Sequence, residues 1–80
     1  MNGEPTTVVA RFTAEGEITP QRFEWQGRLL PIQGVGRRWV EEGSRCFNVM
    51  ALGGRTFELR LDEESLRWSI ARGPSPGLVV

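Results

Sequence analysis

Residues 53–72 read GGRTFELRLDEESLRWSIAR, and this stretch decides the fold. Two runs of alternating apolar and polar side chains flank an acidic turn, which is typical of a β-hairpin with one buried face. The predicted buried face has Phe57, Leu59 and Leu61 opposite Leu66, Trp68 and Ile70, and the predicted charged face has Glu58 and Arg60 opposite Arg67 and Ser69. Because this register sets Arg60 against Arg67, the charged face is either balanced by nearby acids or open to an acidic partner.

Turn signals recur along the chain and separate short runs rich in Val, Phe, Thr, Trp and Ile. We expect strands at about 6–13, 20–25, 28–33, 37–41, 45–52, 56–61 and 66–72, and no substantial helix, because no window repeats apolar residues at helical spacing. A bulge at Gly34-Val35-Gly36 would merge two of these strands. The predicted fold class is all-β, an antiparallel meander of six to seven short strands that forms a small open barrel or a strongly twisted sheet. A single sheet that covers its apolar face by dimerising is the alternative.

The Gln26-Gly27 pair predicts the register of its hairpin. A two-residue turn at this point pairs Trp25 with Arg28 and Phe23 with Leu30. The apolar side chains on both strands then share one face, and Gly27 supplies the positive φ that such a turn requires.

The Gly53-Gly54 pair predicts a second hairpin, for which we expect a three-residue loop with a bulge. This loop places Phe57, Leu59 and Leu61 opposite Ala51, Val49 and Phe47. Met50 and Leu52 are then expected on the second face of the sheet, where they predict partial cover or contact between molecules.

The chain has 80 residues, and a chain this short forms one domain, which we place at residues 1–72. Residues 73–80 are expected to form a Pro/Gly-rich C-terminal tail, because Pro74 and Pro76 cannot donate an amide hydrogen to a ladder. The final Leu78, Val79 and Val80 are expected to fray or to pack loosely.

Ten arginines balance ten acidic residues, and the chain has no Lys, His or Tyr. Zero net charge argues against the strong, salt-dependent phosphate binding of a basic nucleic-acid module. Cys46 is the only cysteine, which excludes an internal disulfide and favours a cytoplasmic location. The longest apolar runs are far below the ~18 residues of a membrane span, so no membrane partner is expected.

The sequence does not indicate an enzyme, and we predict no catalytic, cofactor-binding or metal-binding residue. The serines and Cys46 have no His or Lys to activate them. Cys46 is interpreted as a small buried strand residue rather than a reactive thiol. The run Asp62-Glu63-Glu64 is interpreted as a solvated turn rather than a cation site, because no further oxygen ligands accompany it.

Arg37-Arg38-Trp39 is the best candidate for nucleic-acid binding. Arginine pairs with phosphate and tryptophan stacks on unpaired bases, so this run predicts, as an alternative function, weak binding of a single strand. A competing interpretation is favoured because all three tryptophans fall on the predicted buried phase. It places Trp25 and Trp39 in the core, sets Arg28 over Trp25, and pairs Arg37 and Arg38 with Glu41 and Glu42.

The leading prediction is a non-catalytic module that binds a protein partner or a second copy of itself. It is motivated by apolar residues on both phases of the strand at 45–52. The candidate interaction surface consists of Arg37, Arg38, Trp39, Met50, Leu52, Arg60 and Arg67.

Aromatic and glycine residues between 18 and 71 also carry a resemblance to a known family. The matching segments are TPQRFEWQGR at 19–28, Trp39, CFNV at 46–49, GRTFEL at 54–59 and Trp68. This pattern is similar to a small bacterial domain of unknown function that occurs as short free-standing proteins. A similar pattern lies at the tail of catalytically defective Y-family DNA polymerase homologues used in damage-induced mutagenesis. The resemblance implies a link to DNA-damage tolerance and no catalytic residue, and Cys46 stands where the family commonly has Tyr.

Overall fold

The fold is a meander of antiparallel β-strands, seen in a computed structural model that describes residues 3–75. The strands are β1 (Glu4–Thr6), β2 (Val8–Phe12), β3 (Ile18–Trp25), β4 (Arg28–Glu41), β5 (Ser44–Ala51), β6 (Thr56–Asp62) and β7 (Trp68–Ser75). No residue between 3 and 75 is helical. The predicted all-β fold class is therefore confirmed.

The seven strands form one open, strongly curled sheet in the order β1-β7-β6-β5-β4-β3-β2. Only Thr7 separates β1, on the β7 edge, from β2, on the β3 edge. The Glu24 amide donates to the Thr7 carbonyl over 2.9 Å, and the Thr6 hydroxyl donates to the Glu24 carbonyl over 2.6 Å. The predicted first strand at 6–13 is thus two strands, because the chain leaves one edge of the sheet for the other at Thr7.

Two hairpins have two-residue turns with both residues at positive φ. Gln26 and Gly27 lie at φ 51° and 74°, and Glu42 and Gly43 lie at 50° and 79°. These values match the type I′ turn, whose twist suits neighbouring antiparallel strands. The predicted pairs of the first hairpin, Trp25 with Arg28 and Phe23 with Leu30, are both present.

β4 is one long bent strand, as the predicted bulge required, but its register with β5 shifts twice rather than once. One shift lies between Ile32 and Gly34, and the other lies between Val35 and Arg38. At the second shift, two residues of β4 stand opposite the single residue Asn48 of β5, which is the geometry of a β-bulge.

The register of the β5–β6 hairpin differs from the predicted one by two residues. Phe57 pairs with Val49, and Leu59 pairs with Phe47. The loop has three residues, as predicted, but it is Leu52-Gly53-Gly54 and is closed by the Ala51 amide donating to the Arg55 carbonyl over 2.8 Å. The predicted partners were wrong because the loop begins at Leu52, directly after the bonded Ala51, one residue earlier than the predicted register requires. The Leu52 amide donates to the Pro31 carbonyl of β4 over 3.2 Å. A shift of two leaves the buried face unchanged.

The β6–β7 hairpin is also shifted by two residues. Leu61 pairs with Trp68 and Arg60 pairs with Ser69, so the predicted pairing of Arg60 with Arg67 was wrong. The reason is the position of the turn, in which the Asp62 amide donates to the Arg67 carbonyl and the Leu66 amide donates to the Asp62 carbonyl. The connecting residues are therefore 63–66 rather than the predicted 62–65. Leu66 was predicted in the core, but it lies in this turn at φ 60° and is 70% exposed.

β7 continues through Pro74 to Ser75, three residues beyond the strand end predicted from the prolines. Two register shifts against β6 accommodate this stretch, and Ser75 pairs with Thr56. Gly73 lies here at φ 116°, and a Cβ on it would stand 2.8 Å from a ring carbon of Phe57, so only glycine fits. The prediction for Leu78–Val80 falls outside the described residues.

The core lies on the concave face of the sheet. Its buried residues are Ile18, Phe23, Phe47, Val49, Ala51, Phe57, Leu59, Leu61 and Ile70. Phe57 meets Phe23 edge-to-face at 4.8 Å between ring centroids, and Trp25 also packs on Phe57 at 5.4 Å. The predicted buried face supplies most of this set, and Ile32, Val35 and Trp68 also pack against it. Side chains that alternate with these residues point to the opposite, outer face of the sheet.

Candidate interaction surface

The outer face of the sheet carries a groove lined by charged and aromatic side chains of β4, β6 and β7. Successive side chains of a strand point to opposite faces, so the neighbours of the buried core residues point outward. The lining includes Arg37, Trp39, Glu41, Glu58, Arg60 and Arg72. Asn48 of β5 is smaller than these neighbours and leaves a hollow of about 490 Å³ between them.

The bulge in β4 determines the first contact of the groove. It turns Arg37 outward, so that its guanidinium carbon lies 4.7 Å from the centroid of the Trp39 ring. This is the geometry of a cation–π contact. The Trp39 indole N–H donates to Glu41 Oε1 over 3.0 Å. Trp39 was predicted in the core, but it lies half-buried on the outer face because it pairs with Cys46 rather than with an inward-facing residue of β5.

Arg60 lies at the centre of the groove and contacts two carboxylates. Its Nε donates to Glu58 Oε2 over 2.9 Å, and its terminal nitrogen donates to Glu41 Oε1 over 3.3 Å. The hydrogen bond that Arg60 donates to Glu58 is the main cause that raises the pKa of Arg60. Arg60 is therefore a fixed cation whose charge is already matched within the protein.

Glu58 is shared by two arginines. Its side chain is only 10% exposed, and Arg72 Nε lies 3.7 Å from the second carboxylate oxygen. Arg72 itself is 83% exposed in its side chain. The charged face of the β6–β7 hairpin is thus balanced by internal acids at Arg60, while Arg72 remains largely open to solvent.

Cys46 lies on the same side of β5 as Asn48 and is buried, with 1% of its surface exposed. Burial is the largest influence on its thiol and raises its pKa, and nearby Arg60 only partly opposes this effect. The thiol therefore stays protonated at neutral pH and is a packing group rather than a nucleophile.

A smaller apolar hollow adjoins the charged groove along β4 and β5. It has a volume of about 270 Å³ and is lined by Gly34, Val35, Gly36, Asn48, Val49, Met50 and Thr56. The two glycines add no side chain, and Met50 is 42% exposed beside them. Asn48 and Thr56 line both hollows, so the apolar and charged parts form one continuous surface.

The structure brings together four of the seven predicted surface residues: Arg37, Trp39, Met50 and Arg60. We call these four, together with Asn48, Glu58 and Arg72, the outer-face surface. Three predicted residues lie elsewhere. Arg38 is on the opposite side of β4 and donates to the Thr19 hydroxyl over 3.2 Å. Leu52 is in the β5–β6 loop and Arg67 is at the end of the β6–β7 turn.

The candidate interaction surface predicted from the sequence did not include Asn48, Glu58 or Arg72, although Glu58 was already placed on the predicted charged face with Arg60. Alternation along β6 puts Glu58 on the same face as Arg60, which was a usable signal. Arg72 gave no such signal, because it joins this face only through the register shift opposite Glu58.

The predicted ion contacts of the arginines differ from the observed ones. Arg55, rather than Arg28, lies over the Trp25 ring at 4.8 Å from its centroid. Glu41 pairs with Arg60 rather than with Arg37. Trp25 does pack against the core as predicted.

The acidic run at the end of β6 forms a capped turn. Asp62 Oδ1 accepts the amides of Glu64 and Ser65 over 2.9 and 2.8 Å. These backbone hydrogen bonds lower the pKa of Asp62. The interpretation of this run as an exposed turn is confirmed.

Within residues 3–75, no group of three or more His, Cys, Asp or Glu side chains is arranged to hold a metal ion. The same part of the chain contains no helix of the length and apolar character that crosses a membrane. Comparison of the chain with protein-family models, with curated proteins and with solved structures finds no match.

Proposed function

We propose that this chain is a non-catalytic cytoplasmic module that binds a protein partner through the outer-face surface. The observation that carries the proposal is the continuity of the two hollows, which lets one ligand contact Met50 and the Arg/Trp groove together. Arginine, tryptophan and methionine are the side chains enriched at protein interfaces, and partly buried aromatic and Arg side chains provide most of the binding energy.

The rigidity of the groove also supports this function. The side chain of Trp39 is held by Arg37 on its face and by Glu41 at its N–H, and Arg60 is held by two carboxylates. Side chains that are already ordered lose little conformational entropy on binding. A pre-organised surface of this kind suits binding rather than turnover.

Affinity capture from a lysate of the source cells, with variants on and off the surface, tests the proposal. We expect Trp39→Ala and Met50→Ser to lose specific proteins that the wild type retains. The matched control is Val40→Ser, since Val40 is 69% exposed and lies on the face of β4 opposite to Trp39 and the outer-face surface. Light scattering on each variant identifies self-association. The proposal is contradicted if the control and the surface variants retain the same proteins and all are monomers.

A second candidate function is weak binding of single-stranded nucleic acid. It is favoured by the Arg37–Trp39 stack together with Arg60 and Arg72 in one groove. The carboxylates of Glu41 and Glu58 in that groove oppose it, because they repel phosphate. Anisotropy with labelled oligo-dT at low salt is the test, and Arg37→Ala, but not Arg38→Ala, is expected to abolish binding if this function is correct.

The link to DNA-damage tolerance is part of the same proposal and is supported by the resemblance of residues 18–71 to the small bacterial domain. Neighbouring genes provide the check. An operon that includes a mutagenesis polymerase agrees with this link, and a consistent neighbourhood of unrelated genes contradicts it.

A further inference from the structure

We infer that the partner presents an extended acidic segment in which two acidic residues flank an apolar residue, in the pattern acid-x-apolar-x-acid. This inference rests on the proposed function and names the chemistry of its partner. It is argued from the charges of the outer-face surface that the protein leaves unmatched and from their spacing across the sheet.

Arg37 and Arg72 are the cations that the protein leaves available. Among the described residues, no carboxylate forms an ion pair with Arg37, whose guanidinium lies over Trp39. Arg72 shares Glu58 with Arg60 at the longer distance of 3.7 Å and is 83% exposed. The groove therefore has three arginines against two glutamates, and its unmatched charge is positive.

These two arginines lie at opposite ends of one row across the sheet. Asn48 pairs with Glu58, Glu58 pairs with Arg72, and the bulge sets Arg37 beside Asn48. From β4 to β7 there are three strand spacings, which is roughly 14 Å. An extended peptide advances about 3.3 Å per residue, so acidic side chains four positions apart match this separation.

The apolar hollow determines what lies between the two acids. Met50 is two residues from Asn48 on β5, a strand between the two arginines, and it is exposed beside Gly34 and Gly36. In an extended peptide, residues i, i+2 and i+4 point to the same side. When the outer two residues face Arg37 and Arg72, the central residue lies over the middle of the row, at Asn48 and Glu58. Met50, two residues along β5 from Asn48, is the exposed apolar side chain that we expect it to contact.

The charge pattern favours a peptide over a nucleic acid. Glu41 and Glu58 both line the groove, and Glu58 lies in the row between Arg37 and Arg72. A continuous phosphate backbone therefore meets repulsion that two separated carboxylates avoid. Arg37 also covers one face of Trp39, where a base would stack.

Fluorescence anisotropy of the full-length chain with labelled peptides tests the inference. The probe is Gly-Glu-Ser-Leu-Ser-Glu-Gly, and the comparison peptides replace both Glu by Gln, or Leu by Ser. We expect the probe to bind at least fivefold more tightly than the Gln peptide at low salt, and to lose this preference at high salt. Arg37→Gln and Arg72→Gln are each expected to weaken binding about two- to fivefold. Arg67→Gln is the control, because Arg67 is exposed outside the surface.

A charge reversal makes the test more stringent. The double variant Arg37→Glu and Arg72→Glu is expected to prefer a peptide with Lys in place of both Glu. The inference is overturned if the Glu and Gln peptides bind equally, or if no peptide binds while affinity capture still depends on Met50. That second result would leave the proposed function standing. Displacement of the peptide by oligo-dT, with the same dependence on Arg37, would overturn it in favour of nucleic acid.

Discussion

At the scale of single residues, Glu58 has the central position in the outer-face surface. Its side chain is 10% exposed, and its two oxygens serve Arg60 and Arg72. A carboxylate with so little access to water depends on these cations for its stability, and the cations depend on it to reduce their mutual repulsion. Glu41 contacts the same Arg60 but is 47% exposed, so solvent screens its interaction more strongly.

Glu58→Gln is expected to lower the free energy of unfolding by about 1 kcal/mol, the difference between a charge-assisted and a neutral hydrogen bond. Glu41→Gln, the matched control on the same arginine, is expected to change it by less than ~0.5 kcal/mol. Urea unfolding at neutral pH measures both. Equal effects of the two substitutions would show that burial of Glu58 does not strengthen its ion pair.

The side of the sheet on which Trp39 lies illustrates how much of the surface could be predicted. Gly34 and Gly36 indicate an irregular strand, but they do not reveal the number of register shifts. Each shift exchanges the inner and outer phases of the residues that follow it. The structure has two shifts, which place Trp39 outside and Arg38 on the opposite side of β4. On β6, whose register with β5 is unbroken, the alternation of apolar and charged residues was sufficient to predict which side chains face the core.

At the scale of elements, the register of a hairpin could be predicted only where the sequence of its turn fixed the length and position of that turn. The register of the Gln26-Gly27 hairpin was predicted correctly because both residues adopt the positive φ of a two-residue turn. The β5–β6 and β6–β7 hairpins were both predicted two residues away from the observed register. A shift of two keeps every apolar side chain on the same face, so the apolar pattern does not distinguish the two registers. The hydrogen bonds that close the turns decide between them, such as the one from the Ala51 amide to the Arg55 carbonyl.

The β6–β7 turn predicts a measurable dependence of stability on pH. Backbone hydrogen bonds lower the folded-state pKa of Asp62 below its ordinary value of 3.8. A lowered folded pKa means that the charged form adds stability above about pH 4, and that this contribution is lost as the pH falls through the folded pKa. We therefore expect Asp62→Asn, which keeps the accepting oxygen, to reduce the loss of thermal stability between pH 5 and pH 2.

Thermal unfolding by circular dichroism across this pH range measures the effect. The control is Glu64→Gln, which removes a negative charge from the same turn and leaves the oxygen that accepts the Glu64 and Ser65 amides. The control is expected to follow the wild type more closely than Asp62→Asn does. Parallel pH profiles of the wild type and Asp62→Asn would contradict the role of these hydrogen bonds.

At the scale of the whole molecule, β1 and Thr7 join the two edges of the curled sheet. Glu4 pairs with Ile70, so this contact connects the beginning and the end of the described chain. Such distant pairs have a high loop-closure cost and are expected to form after the local hairpins of the meander. The hydrogen bonds from Thr6 to Glu24 and from Glu24 to Thr7 hold the crossing point between the edges.

Thr6→Val tests the contribution of this crossing point. The substitution keeps the shape of the side chain and removes the hydroxyl that donates to the Glu24 carbonyl over 2.6 Å, so we expect a loss of about 1 kcal/mol of stability. Amide hydrogen exchange followed by NMR should also show faster exchange at Glu24, whose amide bonds to the adjacent Thr7 carbonyl. Thr7→Val is the control, because the backbone carbonyl that accepts this amide is kept. If both variants leave Glu24 exchange unchanged, the edges of the sheet are held by β1–β7 pairing alone, and curling of the outer-face surface does not depend on closure at Thr7.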